Sequence, residues 1–124
     1  MSPAISQAER IARLNDRLRA MISVTSPCLA SPRIGMVLYT KGLMSLPPDK
    51  VALIWSRVRD YQSFTPEYDP YGERDLGVID IAGVPRVFWK IDYYSDGTCS
   101  RASEDPSDPA RSFRVLTVML AAEH

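Results

Sequence analysis

Four carboxylate side chains lie close together in residues 64–77, a segment broken by prolines and here called the acidic loop. They are Glu67, Asp69, Glu73 and Asp75. Carboxylate oxygens are the hard ligands that suit Ca²⁺ or Mg²⁺, but their spacing here does not match the calcium loop of the EF-hand type. Asp and Glu in turn-rich loops also accept hydrogen bonds from backbone N–H groups. The pattern favours this structural interpretation, and we predict no metal ligand and no cofactor.

A second set of polar residues lies on the predicted hairpin that follows the loop. Metal-dependent nucleases pair strand carboxylates with a lysine, so a divalent-metal-dependent hydrolase or nuclease is the alternative hypothesis. Its residues are Glu73, Asp75, Asp80, Lys90 and Asp92. The common nuclease pattern has Glu two residues before the lysine, where this chain has Phe88. Ion pairs of these acids with Arg86 or Lys90 explain the same residues without catalysis.

Nucleophilic catalysis lacks its usual parts. The two cysteines, Cys28 and Cys99, lie outside any zinc-binding spacing, and the one histidine is His124. We interpret the cysteines as reduced thiols; a long-range disulfide and a nucleophilic thiol are the alternatives. A nucleophile needs a nearby base, and no G-x-S-x-G turn or phosphate-binding glycine loop occurs. We therefore expect no catalytic residue.

The length and the charge balance of the chain limit the remaining classes of function. A chain of 124 residues suits one globular domain, predicted here over residues 1–124. Fifteen basic and fifteen acidic residues cancel, which argues against direct nucleic-acid binding. No apolar run approaches the length that spans a bilayer, so we expect a cytoplasmic protein with no membrane partner.

The elements that position these residues follow from hydrophobic periodicity. We predict helices over residues 4–22 and 46–61, and strands over residues 33–40, 78–81, 87–93 and 113–122. A short helix is the alternative for the last segment. The predicted fold class is α+β, with a mainly antiparallel four-stranded sheet packed by two helices. The helix between the first two strands also permits a parallel pair there.

The same periodicity assigns faces to these elements. In the first helix Ile11, Leu18 and Ile22 belong to an apolar stripe, while its arginines, including Arg19, are predicted to face solvent. Residues 36–39 are continuously apolar, which predicts a strand covered on both sides. Trp55, at helical spacing, is predicted to be core. In the hairpin the predicted core face comprises Val87, Trp89, Ile91 and Tyr93, and the opposite face comprises Arg86, Phe88, Lys90, Asp92 and Tyr94.

Four segments of this chain resemble one known family. They are RIARLNDRLR, FTPEYDPYGERDLG, VFWKIDYY and DPSDPARSFRVLTVMLAAEH. Together they resemble an uncharacterised group of small alphaproteobacterial proteins, the domain of unknown function 3768. The resemblance implies occurrence on plasmids and integrative elements, beside genes for anti-restriction and conjugation. It implies no catalytic residue; family members have His followed by Asp after the Asp-Pro-Tyr-Gly-Glu motif, where this chain has Arg74 and Asp75.

The leading functional hypothesis is a non-enzymatic protein-interaction module of mobile genetic elements. It would inhibit a host defence system, of the anti-CRISPR or anti-restriction type, through the acidic, tyrosine-bearing loop. The expected partner is a host or element-encoded protein with a basic, nucleic-acid-binding surface. The predicted binding residues are Tyr68, Asp69, Tyr71, Glu73, Asp75, Lys90 and Asp92. A third hypothesis is structural: the loop seals one end of the sheet.

Overall fold

In the computed structural model, residues 5–23, 29–31 and 34–124 are described. The elements in chain order are α1 (Gln7–Ala20), β1 (Leu29–Ser31), β2 (Gly35–Tyr39), α2 (Lys41–Met44), α3 (Pro48–Arg59), β3 (Leu76–Ile79), β4 (Val87–Tyr94), β5 (Phe113–Leu120) and a 3-10 turn (Ala121–Glu123). The α+β class is therefore confirmed. The acidic loop ends at residue 75, because β3 begins two residues earlier than predicted.

The sheet has the order β1-β2-β5-β4-β3. The prediction of a mainly antiparallel sheet is corrected, because β2 and β5 run parallel and make the sheet mixed. The parallel partner of β2 is the C-terminal strand and not the first hairpin strand. The apolar strand β5 is buried along most of its length, so it takes a central place between β2 and β4. The connection from β2 to β5 includes helices, and such a crossover allows a parallel return. The short strand β1, which was not predicted, extends the sheet beyond the four predicted strands.

Three α-helices occur in the described part of the chain, where two were predicted. The additional helix is α2, a single turn that begins where Thr40 accepts a hydrogen bond from the Leu43 N–H at 3.4 Å. Helix α1 begins at Gln7, and the residue before it, Ser6, caps it: the Ser6 Oγ accepts from the Glu9 N–H at 3.1 Å. The sequence favours a helix cap at Ser2 followed by Pro3 at the first helical position, and these two residues lie outside the described ranges. No helix in the described ranges is long and apolar enough to cross a membrane.

The hydrophobic core lies between the helices and one face of the sheet. Its largest side chains are Trp55 and Trp89, both fully buried, which confirms Trp55 as core. Gly77 on β3 faces the Trp89 indole so closely that a Cβ atom there would clash with it. The predicted core positions Val87 and Ile91 of β4 are also buried. The hairpin therefore contributes its alternate residues to the core as predicted.

Two predictions about burial are wrong. Residues 36–39 are not covered on both sides: Leu38 remains 43% exposed, on the sheet face opposite the helices. Arg19 of α1 does not face solvent and is only 5% exposed. Its guanidinium donates to the carbonyls of Val58 and Tyr61, at 3.1 and 3.0 Å, where α3 ends. A cation at a helix C-terminus satisfies carbonyls that have no partner within the helix, and this bonding offsets the cost of burying it.

Candidate interaction site

The acidic loop has a defined backbone conformation held by local hydrogen bonds. The N–H groups of Tyr68 and Asp69 both donate to the Thr65 carbonyl, at 3.2 and 2.7 Å. Gly72 adopts a φ of 70°, in the left-handed region that glycine tolerates best. The Asp69 carboxylate accepts from the Arg74 N–H at 3.0 Å. Asp69 therefore stabilises the turn, as expected for an acid that caps backbone donors.

Arg74 fastens this loop to helix α1. Its guanidinium contacts the Asp16 carboxylate at 2.8 Å and the Glu9 carboxylate at 3.3 Å, a pair of contacts called here the Arg74 bridge. Hydrogen bonding from Arg74, with a smaller contribution from Arg13, lowers the pKa of Glu9. Arg74 reaches this position with a φ of 54°, a conformation that costs energy for a residue with a side chain. The loop tip is consequently oriented by contacts to a neighbouring helix.

A cluster of buried and partly buried polar groups lies beneath the loop; we call Asn15, Glu73, Tyr93 and Arg114 the polar cluster. The fully buried Asn15 amide donates to the Glu73 carbonyl and to the Tyr93 hydroxyl, both at 2.9 Å. The Tyr93 hydroxyl in turn donates to the Glu73 carboxylate at 3.1 Å. Burial raises the pKa of Tyr93 above its usual value. These bonds join α1, the acidic loop and β4, whose residues are far apart in sequence.

Arg114 is the most deeply buried charge in this cluster. Its side chain is 1% exposed, and its Nε donates to the Asn15 amide oxygen at 2.6 Å. Further donors reach the Ser112 hydroxyl at 2.9 Å and the Pro106 carbonyl, while the guanidinium lies 5.1 Å from the centre of the Tyr93 ring. Burial lowers the pKa of Arg114. Neutral oxygens and an aromatic face contact this cation directly, with the Glu73 carboxylate of the cluster nearby, an arrangement suited to structural positioning.

Asp75 lies half-buried next to the polar cluster. Its carbonyl accepts from the Ile91 N–H at 2.8 Å, which continues the β3–β4 pairing by one residue. Burial raises the pKa of its carboxyl to about 6, and the nearby Glu73 carboxylate adds to the effect. Glu73 and Asp75 thus lie on the helix side of the sheet and are engaged in internal contacts.

Tyr71 differs from the other predicted binding residues in the loop. Its side chain is 79% exposed at the tip of the turn, whereas Tyr68 is half-buried. Glu67 is exposed on the same loop. The exposed part of the acidic loop consequently carries one aromatic side chain, Tyr71, and one acid, Glu67.

The last two predicted binding residues, Lys90 and Asp92, lie outside the acidic loop. They form an ion pair at 3.1 Å on the face of β4 that points away from the helices. Asp80 pairs with Arg86 across the hairpin at 2.9 Å. The structure therefore divides the predicted binding residues among the loop tip, the helix side of the sheet and its opposite face. Within the described residues, no three His, Cys, Asp or Glu side chains converge as metal ligands would.

A cleft of about 670 Å³ opens beside the loop, between α1 and the end of α3. Its lining residues are Asp16, Arg19, Arg59, Asp60, Tyr61, Gln62, Phe64 and Arg74. Each arginine here already contacts an aspartate: Arg19 and Arg74 share Asp16, both at 2.8 Å, and Arg59 meets Asp60 at 3.0 Å. Because these charges are paired, the cleft offers little free charge for an anionic ligand.

The sequence hypotheses missed the residues that hold the loop in place. Asn15 lies among the buried positions of α1, and a polar residue within an apolar stripe was a signal for a buried hydrogen bond. Arg114, a charge inside an apolar strand, was another. Arg74 was noted only as a departure from the family motif. Asn15 and Arg114 gave a detectable signal, although their partners could not be inferred.

One comparison with known proteins is informative. Residues 39–123 match the family model described as "Protein of unknown function (DUF3768)". The chain belongs to this family. The DUF3768 segment includes the acidic loop, the hairpin and β5, and leaves α1 outside, so the Arg74 bridge joins the matched segment to a helix beyond it. No curated protein and no solved structure matches this DUF3768 chain.

Proposed function

We propose that this chain is a non-enzymatic protein-interaction module that binds its partner through the tip of the acidic loop. The observation that supports this proposal is the exposure of Tyr71 on a loop held by the Arg74 bridge. Aromatic anchors contribute much of the energy at protein interfaces. A loop that is already ordered loses less conformational entropy on binding, so more of the contact energy appears as affinity.

The internal contacts of the loop limit which of its side chains can meet a partner, and so define the chemistry expected of the partner surface. Of the four loop carboxylates, Glu73 and Asp75 face the polar cluster, and Asp69 caps a backbone N–H. Glu67 remains exposed, so its negative charge can attract a basic partner surface to the loop. The partner surface would therefore offer a pocket for the Tyr71 ring with a modest basic rim. A nucleic-acid-binding protein encoded by the host or by the mobile element, in the cytoplasm, has a surface of this kind.

The biological role in the proposal is inhibition of a host defence system of the anti-CRISPR or anti-restriction type. Its support is the resemblance described above, which implies alphaproteobacterial origin and a place on plasmids and integrative elements. The geometry adds no support for the hydrolase alternative, because Glu73 and Asp75 lie on one side of the sheet and Lys90 and Asp92 on the other.

A quantitative affinity capture from the host lysate tests the interface. Tyr71→Ala should lose the specific partner seen with the wild-type chain, because truncation removes the aromatic anchor. Met44→Ala is the matched control, since Met44 is an exposed apolar residue on α2, away from the loop. It should keep that partner. Equal recovery of the partner by Tyr71→Ala and the wild type would remove the loop tip as the interface.

A direct measurement follows once the partner is purified. Calorimetry should show that Tyr71→Ala weakens binding by about 2 kcal/mol, roughly thirtyfold, as for a central aromatic hot spot. Equal melting temperatures of the variant and the wild type would confirm that the loss concerns binding and not folding.

A further inference from the structure

An open groove lies on the surface between helix α1 and the segment around Pro109; we call it the arginine groove. Its volume is about 330 Å³. Its lining residues are Arg10, Arg13, Leu14, Arg17, Ser107 and Pro109. The acidic loop contributes no residue to this lining, so the groove is a surface separate from the loop tip.

The helical spacing of α1 places a row of positive charges along the groove. Arg10, Arg13 and Arg17 follow one another at steps of three and four residues, so they lie on one face of the helix. All three side chains are exposed, while Leu14, which lies among them, is half-buried. This side of the groove therefore combines an apolar strip with a basic rim.

The charged side chains that line the groove are all arginines, and two of the three are unpaired. Arg13 contacts the Glu9 carboxylate at 3.2 Å, whereas Arg10 and Arg17 form no ion pair with any residue of the described ranges. Arg10 donates to the Ile5 carbonyl at 3.3 Å. The cleft beside the acidic loop differs, because each of its arginines already contacts an aspartate. The groove thus keeps positive charge that a ligand could use.

The opposite side of the groove is ordered by the rest of the fold. The Asp105 carboxylate accepts from the Ser107 N–H at 3.1 Å. The Asp108 carboxylate accepts from the Ala110 N–H at 2.9 Å. These two acids are therefore engaged in their own turns and do not line the groove. The buried arginine of the polar cluster also holds the Pro106 carbonyl. Binding to ordered walls costs less conformational entropy than binding to flexible ones.

We propose that the arginine groove docks an acidic segment of a partner protein, one that presents apolar side chains flanked by carboxylates. The apolar side chains would pack against Leu14 and Pro109, and the carboxylates would pair with Arg10 and Arg17. Arginine suits this contact, because its planar guanidinium donates two parallel hydrogen bonds to one carboxylate.

Other anionic partners fit this groove less well. The phosphates of a nucleic acid would use the arginines but leave the apolar strip uncovered, and the chain as a whole has no net charge. The acidic segment is also opposite in charge to the partner surface proposed for the loop tip. The two proposals are therefore independent, and Tyr71→Ala should leave binding at the groove unchanged.

Arg17 is the best residue for testing the groove. Arg13 also contacts Glu9, which belongs to the Arg74 bridge, so a substitution there would disturb the acidic loop. Arg17 lies in the last turn of α1, and the exposed Arg57 lies in the last turn of α3. A change of either arginine to glutamate has the same unfavourable interaction with a helix dipole. Arg57→Glu is therefore the matched control outside the groove.

Fluorescence anisotropy measures binding of a short labelled peptide that carries leucine and phenylalanine between runs of glutamates. Saturable binding is expected at low ionic strength, and it should weaken as salt screens the charges. Arg17→Glu should weaken binding roughly tenfold, because it removes an attraction and adds a repulsion. Leu14→Gln should weaken it about threefold through lost apolar contact. Arg57→Glu should bind as the wild type does, and circular dichroism checks that every variant is folded.

Four results would overturn the proposal. Absence of binding at peptide concentrations up to about 1 mM would show that the groove does not take an acidic segment. Equal affinity of Arg17→Glu and the wild type would place the binding on another surface. Equal affinity for a peptide with serines in place of its apolar residues would exclude a role for the apolar strip. Tighter binding of a single-stranded DNA oligonucleotide, lost in Arg17→Glu, would make the groove a nucleic-acid site instead.

Discussion

The strand β4 contributes to two kinds of interior within a few residues. The Trp89 side chain packs among aromatic rings: the ring centres of Tyr61 and Phe64 lie 5.4 and 6.0 Å from that of Trp89. Around Tyr93 the strand enters the polar cluster, where hydrogen bonds to specific atoms join the residues and the Arg114 guanidinium packs over the Tyr93 ring. The part of β4 around Trp89, called here the aromatic end, tolerates many packing arrangements because burial of apolar area is non-directional. The part around Tyr93, called here the polar end, permits few arrangements, because a buried polar group without a hydrogen-bond partner is costly.

This difference assigns different tasks to the two ends. The aromatic end supplies most of the free energy that holds the helices on the sheet. The polar end determines where the acidic loop and the segment around Pro106 attach, since Asn15 donates to the Glu73 carbonyl in the loop and Arg114 donates to the Pro106 carbonyl. The orientation of Tyr71 therefore depends on directional bonds and not on the bulk of the core.

The largest expected effect tests the aromatic end. Trp89→Ala should lower the free energy of unfolding by about 3–5 kcal/mol, because it removes a fully buried ring and leaves a cavity. Urea denaturation measures this change. Tyr71→Ala is the aromatic control and should change stability by less than about 0.5 kcal/mol. Comparable losses in the two variants would contradict the assignment of Trp89 to the core.

The polar end is tested by Arg114→Ala. We expect a loss of about 2–4 kcal/mol, since the Asn15 oxygen and the Pro106 carbonyl would be left buried without a donor. Arg114→Met keeps a long apolar side chain against Tyr93 but restores no hydrogen bond, so it should recover only part of the loss. An Arg114→Met variant as stable as the wild type would contradict the difference between the two ends. It would mean that burial of an apolar side chain is enough to stabilise the polar end as well.

A pH-dependent prediction concerns Asp75. Its pKa is about 6 in the folded chain against a reference value of 3.8, so the folded state binds more protons between these values. Stability therefore falls as the pH rises from about 4 through 6. Asp75→Asn removes this slope and should stabilise the chain at pH 8 by about 1 kcal/mol, after allowance for solvent screening.

Urea denaturation of both chains at pH 5 and pH 8 measures the effect of Asp75→Asn. The difference between the chains should be larger at the higher pH. Acids with lowered pKa values, such as Glu9, act at lower pH and affect both chains equally. An equal difference at the two pH values would mean that Asp75 is ionised without penalty in the fold.

The smallest expected effect belongs to the Arg74 bridge. Arg74→Ala should cost about 0.5–1 kcal/mol, because partly exposed ion pairs are weakened by solvent. It should also increase hydrogen exchange in the acidic loop. Arg74→Gly removes the same ion pairs but relieves the positive φ, so its stability should exceed that of the alanine variant. The reverse order of stability would indicate that the backbone at this position is not strained.

Several features of the fold follow from the sequence alone. The apolar spacing in α3 and the alternation in β4 correctly predicted the burial of Trp55, Trp89 and Ile91. The apolar run of residues 113–122 correctly predicted the last strand, β5. These predictions succeed because helix and strand geometry repeat over a few residues, so the periodicity of apolar side chains reports burial directly.

The tertiary structure alone decided which polar groups are internal. Arg114 and Asn15 lie 99 positions apart, and Arg74 and Asp16 lie 58 apart, so no local pattern connects them. The same holds for the parallel pairing of β2 with β5, and for the separation of Glu73 from Lys90 across the sheet. Hydrogen bonds and ion pairs are satisfied by any suitable partner at the right distance and angle, and only the folded chain brings one partner there. The sequence thus determined which segments are buried, and the fold determined that Tyr71 points outward while its acidic neighbours Glu73 and Asp75 are engaged inside.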